Sequence, residues 1–338
     1  MTADVTGHTP PLPGGPAGAG EVPVLLGGPP ARRCLVMGVV SVTPDSFSDV
    51  GKAFHPEQAI AHGMELLSLG ADLIEVGGES TRPGATLVPL AEDRRRVLPV
   101  VRALTEAGGF VSIATVRARL AEAAIEAGAA MVTDMSGGLA DPAMLPLLAG
   151  YEVPYVLMHW WGHASTGHPS TGHPSTGHPS PRAADRTVVA EVMAELANRA
   201  AAATAAGIAA ERLILDPGLG LARTDEDNWQ LLAHLGSFRQ LGRPVLVGPL
   251  RTSFPARALA SMGRPEVTAG PGRGRPEDTA GKRGGAAAAI AVLAAAAGAW
   301  GVRSHDTRTV IDAVRVVTAV HDRSGPLPPA GTASVHVQ

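Results

Sequence analysis

The sequence holds one cysteine, Cys34, in 338 residues. No disulfide within the chain can form from it, and a zinc site built on cysteines is excluded. A reducing cytoplasm fits this usage. Neither sign of charge is in excess: 28 Lys and Arg against 31 Asp and Glu leave a formal −3. No basic face is offered to nucleic acid or to an anionic membrane, so neither is expected as a partner. Long apolar runs are missing too. The longest, residues 286–300, is mostly Ala and Gly, too short to span a bilayer, and reads as a buried helix. The first residues lack a charged stretch followed by an apolar one, so no signal peptide is expected.

What the chain has in plenty is Gly and Pro, 41 and 29 respectively. Together they make about a fifth of the residues, against roughly 12% in average usage. The excess is local. It gathers in residues 1–30, 165–181, 262–285 and 324–338, and usage elsewhere is ordinary. Residues 1–30 and 324–338 are therefore predicted to be disordered tails. The intervening 31–323 is predicted to be one folded domain. With 45% hydrophobic residues overall, it has the material for a core.

Within that domain, apolar strand-like runs alternate with Ala- and Leu-rich helical stretches. The strands are expected at 34–42, 71–77, 110–114, 131–134, 154–159, 212–215, 244–247 and 301–305. Helices are expected at 56–69, 91–106, 116–127, 142–149, 184–206, 225–241, 277–299 and 308–321. Apolar strands alternating with helices imply a parallel sheet covered by helices. Eight such units predict an α/β fold, the TIM (β/α)8 barrel, as a single domain. A doubly wound open sheet is the alternative. It usually carries a Gly-rich phosphate turn after its first strand, and here that strand runs into Val42-Thr43-Pro44-Asp45 instead.

Barrel chemistry sits at the C-terminal ends of the strands. Polar residues gather there: Ser41, Thr43, Glu79-Ser80-Thr81-Arg82, Thr133-Asp134, Met158-His159, Asp216, Arg251, Arg303 and His305. Loops are polar anyway, but this many charged groups at one rim imply a ligand. One insertion breaks the pattern. Residues 165–179 are three copies of Ser-Thr-Gly-His-Pro, inside a low-complexity rim loop at 163–181. Pro at every fifth position forbids a helix. Five of the twelve histidines fall between His159 and His178. The segment reads as an expanded disordered loop rather than a metal site, because no carboxylate or cysteine is spaced to complete one.

Four motifs, in order, resemble the dihydropteroate synthases, the pterin-binding TIM barrels. They are Met37-Gly38-Val39-Val40-Ser41-Val42-Thr43-Pro44-Asp45-Ser46-Phe47-Ser48-Asp49, Glu75-Val76-Gly77-Gly78-Glu79-Ser80-Thr81-Arg82-Pro83-Gly84-Ala85, Leu215-Asp216-Pro217-Gly218-Leu219-Gly220 and Val302-Arg303-Ser304-His305-Asp306. Leu157-Met158-His159-Trp160 and Gly298-Ala299-Trp300-Gly301 look closest to actinobacterial members. The resemblance implies a cytoplasmic transferase of folate biosynthesis, usually a homodimer. It joins 6-hydroxymethyl-7,8-dihydropterin diphosphate to p-aminobenzoate, with Mg²⁺ as cofactor. It further implies that Arg303 and His305, two apart on a strand, face one way and anchor the diphosphate. Asp216 accepts from the pterin, and Met158 walls the pterin slot. Thr81 and Arg82 lie near the diphosphate and the aminobenzoate. Arg251 belongs to the loop after strand seven, and Pro44 and Phe47 to a mobile first loop.

The pattern also departs from the family at the site. The family's Mg²⁺-holding Asn is Ser41, a shorter and poorer ligand. Its pterin-contacting Asp is Ala114. Its Asn before Asp134 is Thr133, which loses an amide edge. Its loop Lys is Thr252, and the loop after strand six reads Leu221-Ala222-Arg223. Losing the Asn, the Asp and the Lys together would remove roughly 4–7 kcal/mol if additive, about 10³–10⁵ in binding or rate. The expectation is an eroded pterin pocket with weak or absent activity. The alternative is a non-catalytic or repurposed homologue that binds a phosphorylated or pterin-like ligand. A corrinoid-linked methyltransferase barrel fits less well, since a methyl donor has no diphosphate for Arg303 and His305. A His-rich metal buffer would rest on the repeat alone.

Overall fold

The computed structural model describes residues 33–43, 55–79, 88–159, 187–221, 224–248 and 276–323, with backbone only over 276–283. The predicted tails and the whole rim loop with its repeat lie outside these residues. Among them, eight strands alternate with eight α-helices: β1 Leu35–Ser41, α1 Pro56–Leu69, β2 Leu73–Gly77, α2 Leu90–Glu106, β3 Val111–Ala114, α3 Ala118–Glu126, β4 Met131–Asp134 and α4 Met144–Ala149. They continue through β5 Tyr155–Met158, α5 Val188–Ala205, β6 Leu213–Asp216, α6 Asp225–Ala233, β7 Leu246–Val247, α7 Pro276–Ala296, β8 Gly301–Ser304 and α8 Thr307–His321. All pairings are parallel, in the order β6-β5-β4-β3-β2-β1-β8-β7. A bridge between Leu215 and Val245 joins β6 to β7 and closes the ring. The chain is a single-domain TIM (β/α)8 barrel.

The local chemistry explains the elements. Pro56 starts α1, where its missing N–H costs nothing, and Gly70 ends it at φ 95°. Thr187 and Thr224 cap α5 and α6 by accepting from the N–H of Ala190 and Asp227. Three acids, Asp225, Glu226 and Asp227, fill the first turn of α6 and complement its dipole. The helix expected over 225–241 stops at Ala233, and a 3₁₀ segment, Leu235–Leu241, follows. Gly236 and Ser237 in that stretch favour neither continuation nor a second α-helix. Gly38 faces outward on β1. A Cβ there would lie 2.9 Å from Leu66 Cδ1 and 3.2 Å from Thr307 Oγ1, so Gly lets α1 and α8 settle on the strand.

Strand alternation divides the core in two. Outward residues of the strands pack with the helices in one large cluster, including Val36, Val40, Ile74, Val76, Val132, Tyr155 and Leu215. Inward residues form a second cluster inside the ring: Leu35, Met37, Leu73, Met131, Val156, Ile214 and Leu246. Two residues further along five of the strands, a different inward residue follows. Leu73 is followed by Glu75, Met131 by Thr133, Val156 by Met158, Ile214 by Asp216 and Leu246 by Gly248. The lower barrel is a packed apolar plug, and the upper barrel is a polar cup.

Candidate active site

The cup is built around Arg303. This residue sits near the end of β8, paired in register with Met37 of β1, and is 4% exposed. Its guanidinium spans the barrel in both directions. Nη1 donates to Glu75 Oε1 at 3.1 Å, and Nη2 donates to Asp216 Oδ2 at 2.7 Å and to the Gly248 carbonyl at 3.0 Å. Nη2 also lies 3.8 Å from Met158 Sδ. Burial works against the charge of Arg303, but Glu75 and then Asp216 outweigh it and hold the guanidinium above its ordinary pKa. One cation thus ties β8 to β2 across β1, and to β6 across β7.

Asp216 is fully buried at the end of β6. Oδ1 accepts from the Gly218 N–H at 2.7 Å, which turns the chain after the strand, and Oδ2 accepts from Arg303. Burial raises its carboxyl to about 6, against the opposing pull of Arg303 and the Gly218 N–H. On the opposite wall, Ser112 and Thr133 face inward from β3 and β4, and their hydroxyls meet at 3.0 Å. Ala114, in register with Gly77 and Thr133, adds no polar atom beside them. Ser41 ends β1 opposite Gly77 and is partly exposed.

The structure brings Thr133, Met158, Asp216 and Arg303 of the sequence-predicted residues into this cup, with Ser41 at its rim. Asp134 is a correction. Thr133 points in, so Asp134 points out, and its carboxylate is taken up by structure. Oδ1 accepts from the Ser136 N–H and hydroxyl, both at 2.7 Å, and Oδ2 from the Gly138 N–H at 2.8 Å and the Tyr155 hydroxyl at 2.9 Å. It is fully buried and shapes the turn after β4. Burial still raises its pKa, despite these four donors. His305 is a second difference. β8 ends at Ser304, so strand alternation does not extend to His305, which is partly buried just beyond. Thr81, Arg82, Arg251 and Thr252 lie outside the described residues, as do Pro44 and Phe47.

Two acids of the second motif have roles that the sequence does not assign. Glu75 was visible as a lone charge inside the apolar strand LIEVG, at an inward position by alternation. Glu79 follows β2 and makes two contacts. Its Oε1 accepts from Arg117 Nη2 at 2.6 Å and from the Val88 N–H at 3.3 Å, so it ties residue 79 to residue 88. Beneath it, Asp93 is 1% exposed, with Arg117 Nη1 at 3.8 Å from Oδ2. Burial first, and the Glu79 charge second, raise the Asp93 carboxyl to about 7. Gly78 passes directly over it: a Cβ there would lie 2.1 Å from Asp93 Oδ1.

A family profile described as "Pterin binding enzyme" matches residues 37–305, the whole barrel from β1 past β8. The chain is 43% identical over 284 residues to the dihydropteroate synthase of Mycobacterium leprae, covering 84% of this chain and 92% of that one. The chain belongs to the dihydropteroate synthase family. It is also 37% identical over 229 residues to the Bacillus subtilis dihydropteroate synthase, covering 68% and 74% of the two chains. Among solved members, the Xanthomonas albilineans dihydropteroate synthase with 4-aminobenzoic acid superposes with TM-score 0.69 and 39% identity, over 87% of this chain and 94% of that one. The Yersinia pestis dihydropteroate synthase in a sulfonamide complex gives TM-score 0.71 and 34% identity, over 86% and 95%. The chain is therefore a dihydropteroate synthase-type protein.

Proposed function

We propose that this protein condenses 6-hydroxymethyl-7,8-dihydropterin diphosphate with p-aminobenzoate, and does so slowly. The observation that carries the reading is the meeting of Asp216 and Arg303 in one buried cup, 2.7 Å apart. A pterin edge presents amino and ring N–H groups, which need a carboxylate acceptor; a diphosphate needs a cation. Asp216 supplies the first and Arg303 the second, with Met158 as an apolar wall for the ring. The arylamine nitrogen bonds to the pterin methylene as the C–O bond to the diphosphate breaks. The diphosphate leaves with that electron pair, the amine proton goes to solvent, and Arg303 stabilises the departing charge. Relatives solved with 4-aminobenzoic acid and with 7,8-dihydropteroate support both the substrate and the product class.

Slowness follows from the opposite wall. Ala114 offers the ring no acceptor, and Thr133 offers a hydroxyl already shared with Ser112. The second reading, a homologue that binds without turnover, draws on the same two positions. Mg²⁺ fits only as a shared ion. Ser41 Oγ would supply one ligand, and diphosphate oxygens and water the rest. Among the described residues no group of three His, Cys, Asp or Glu could hold a metal by itself. When bound, the ion would neutralise charge on the leaving diphosphate. A homodimer is part of the same proposal. Leu293 on α7 and Val316 and Val320 on α8 are 52%, 62% and 62% exposed, on two helices that pack together. So is a cytoplasmic setting; among the described residues no helix is long and apolar enough to cross a membrane. Incubating the purified protein with the pterin diphosphate, p-aminobenzoate and Mg²⁺ tests the reading, and absence of dihydropteroate at high enzyme concentration rejects it.

A further inference from the structure

We infer that Arg303 couples the two halves of the substrate, because in the free protein its guanidinium occupies the carboxylate and the slot that the pterin ring must use. The inference rests on the reading above and specifies how that site recognises its ligand. Nη2 sits 2.7 Å from Asp216 Oδ2 and 3.8 Å from Met158 Sδ, so it lies between the ring's acceptor and the ring's wall. A ring entering that slot meets Arg303 first. An anion at the mouth competes for the same guanidinium. When the anion draws Nη2 away, Asp216 and the slot are released together.

Glu75 makes the exchange a pivot rather than a departure. It holds Nη1 from the far side of the barrel, through a separate nitrogen of the fork. Nη2 can turn from Asp216 to an anion while Nη1 keeps its partner. Glu75 is thus a positioning residue, acting on the ligand through Arg303. Each ligand half removes the obstacle to the other, so the coupling is reciprocal. A substrate carrying ring and diphosphate on one molecule benefits fully, whereas an unphosphorylated pterin must displace Arg303 unaided.

Titration calorimetry on the full chain tests this, with inorganic pyrophosphate and Mg²⁺ as the anion and 6-hydroxymethylpterin as the ring. Saturating pyrophosphate is expected to tighten pterin binding roughly 5- to 150-fold, and pterin to tighten pyrophosphate by the same factor. Two variants should move that factor in opposite directions. Arg303→Lys keeps a charge for the anion but lacks the fork that spans two carboxylates, so the factor falls toward one. Glu75→Gln keeps an acceptor but removes its charge, so the guanidinium settles harder on Asp216. Pterin alone then binds more weakly and the factor grows. Independent binding of the two ligands to a protein that still makes dihydropteroate overturns the coupling and leaves the proposed activity standing. Binding of neither, with no turnover, overturns both. A factor that is unchanged in Arg303→Lys and Glu75→Gln assigns the coupling to direct attraction between the ligands, and also overturns the role of Arg303.

Discussion

Ala114→Asp should make the protein a faster enzyme. Ala114 ends β3 on the inward face, in register with Gly77 on one side and Thr133 on the other. Gly77 leaves room beside it, since a Cβ built there would lie 3.6 Å from the Ala114 Cβ. A carboxylate at this point would face the ring from the wall opposite Asp216. A hydrogen bond to a charged group contributes about 1.5–3 kcal/mol. That corresponds to roughly 10- to 150-fold in kcat/KM. Repulsion works against part of the gain. Glu75 and Asp216 already share the cup with a single Arg303, and a third carboxylate would push Asp216 further toward its protonated form. The assay therefore belongs at pH 8, where Asp216, at about 6, stays ionised. The net expectation is about tenfold or more in kcat/KM for the pterin diphosphate. Ala114→Asn, neutral and of similar shape, should gain only a fraction of that. If Ala114→Asp melts like the parent and kcat/KM does not rise, the missing acceptor at this position is not what slows the reaction.

Asp216 must be ionised to accept two donors, so KM for the pterin diphosphate should rise as pH falls through 6, by about tenfold per unit below it; Asp216→Asn should abolish that limb in a pH–rate profile. Asp93 predicts a stability effect of opposite sense to the usual acid. Its folded pKa, about 7, lies above the unfolded value. The stabilising contribution is complete below about pH 4 and is lost as pH rises through 7. Asp93→Asn should therefore raise stability to urea at pH 8 by about 2–4 kcal/mol and leave it unchanged near pH 4; a loss at pH 8 would show that the Arg117 contact outweighs burial. Val316→Glu with Val320→Glu should turn a dimer into a monomer in sedimentation experiments without lowering the melting temperature, and an unchanged sedimentation coefficient would remove the α7–α8 face as the interface.

The barrel was legible because each strand is a short apolar run and each helix a longer Ala- and Leu-rich one. The ends of α1 are marked by Pro56 and Gly70, and its limits coincide with those expected. The helix after β6 ran past its true end because composition hides the weak Gly236-Ser237 step. The cup was partly legible. Asp216 and Arg303 stand at strand ends where barrel chemistry sits, and the motifs pointed to them. Asp134 follows Thr133 in the sequence but not into the cup. Alternation puts neighbours on opposite faces, and Tyr155, outward on the next strand, claims that carboxylate. Glu75 stands in the second motif without an assigned role for the complementary reason: its partner is Arg303, 228 residues away. No local pattern reports such a contact. The bond from the Val88 N–H to Glu79 is likewise not written in any local pattern.

Dihydropteroate formation under single-turnover conditions, for the parent protein alongside Asp216→Ala and Arg303→Met, decides whether this cup does the chemistry. A slow but measurable rate is expected in the parent, quickened by Ala114→Asp, and none in either cup variant. No product from the parent at high enzyme, or an undiminished rate when Asp216 and Arg303 are removed, would contradict synthesis at this site.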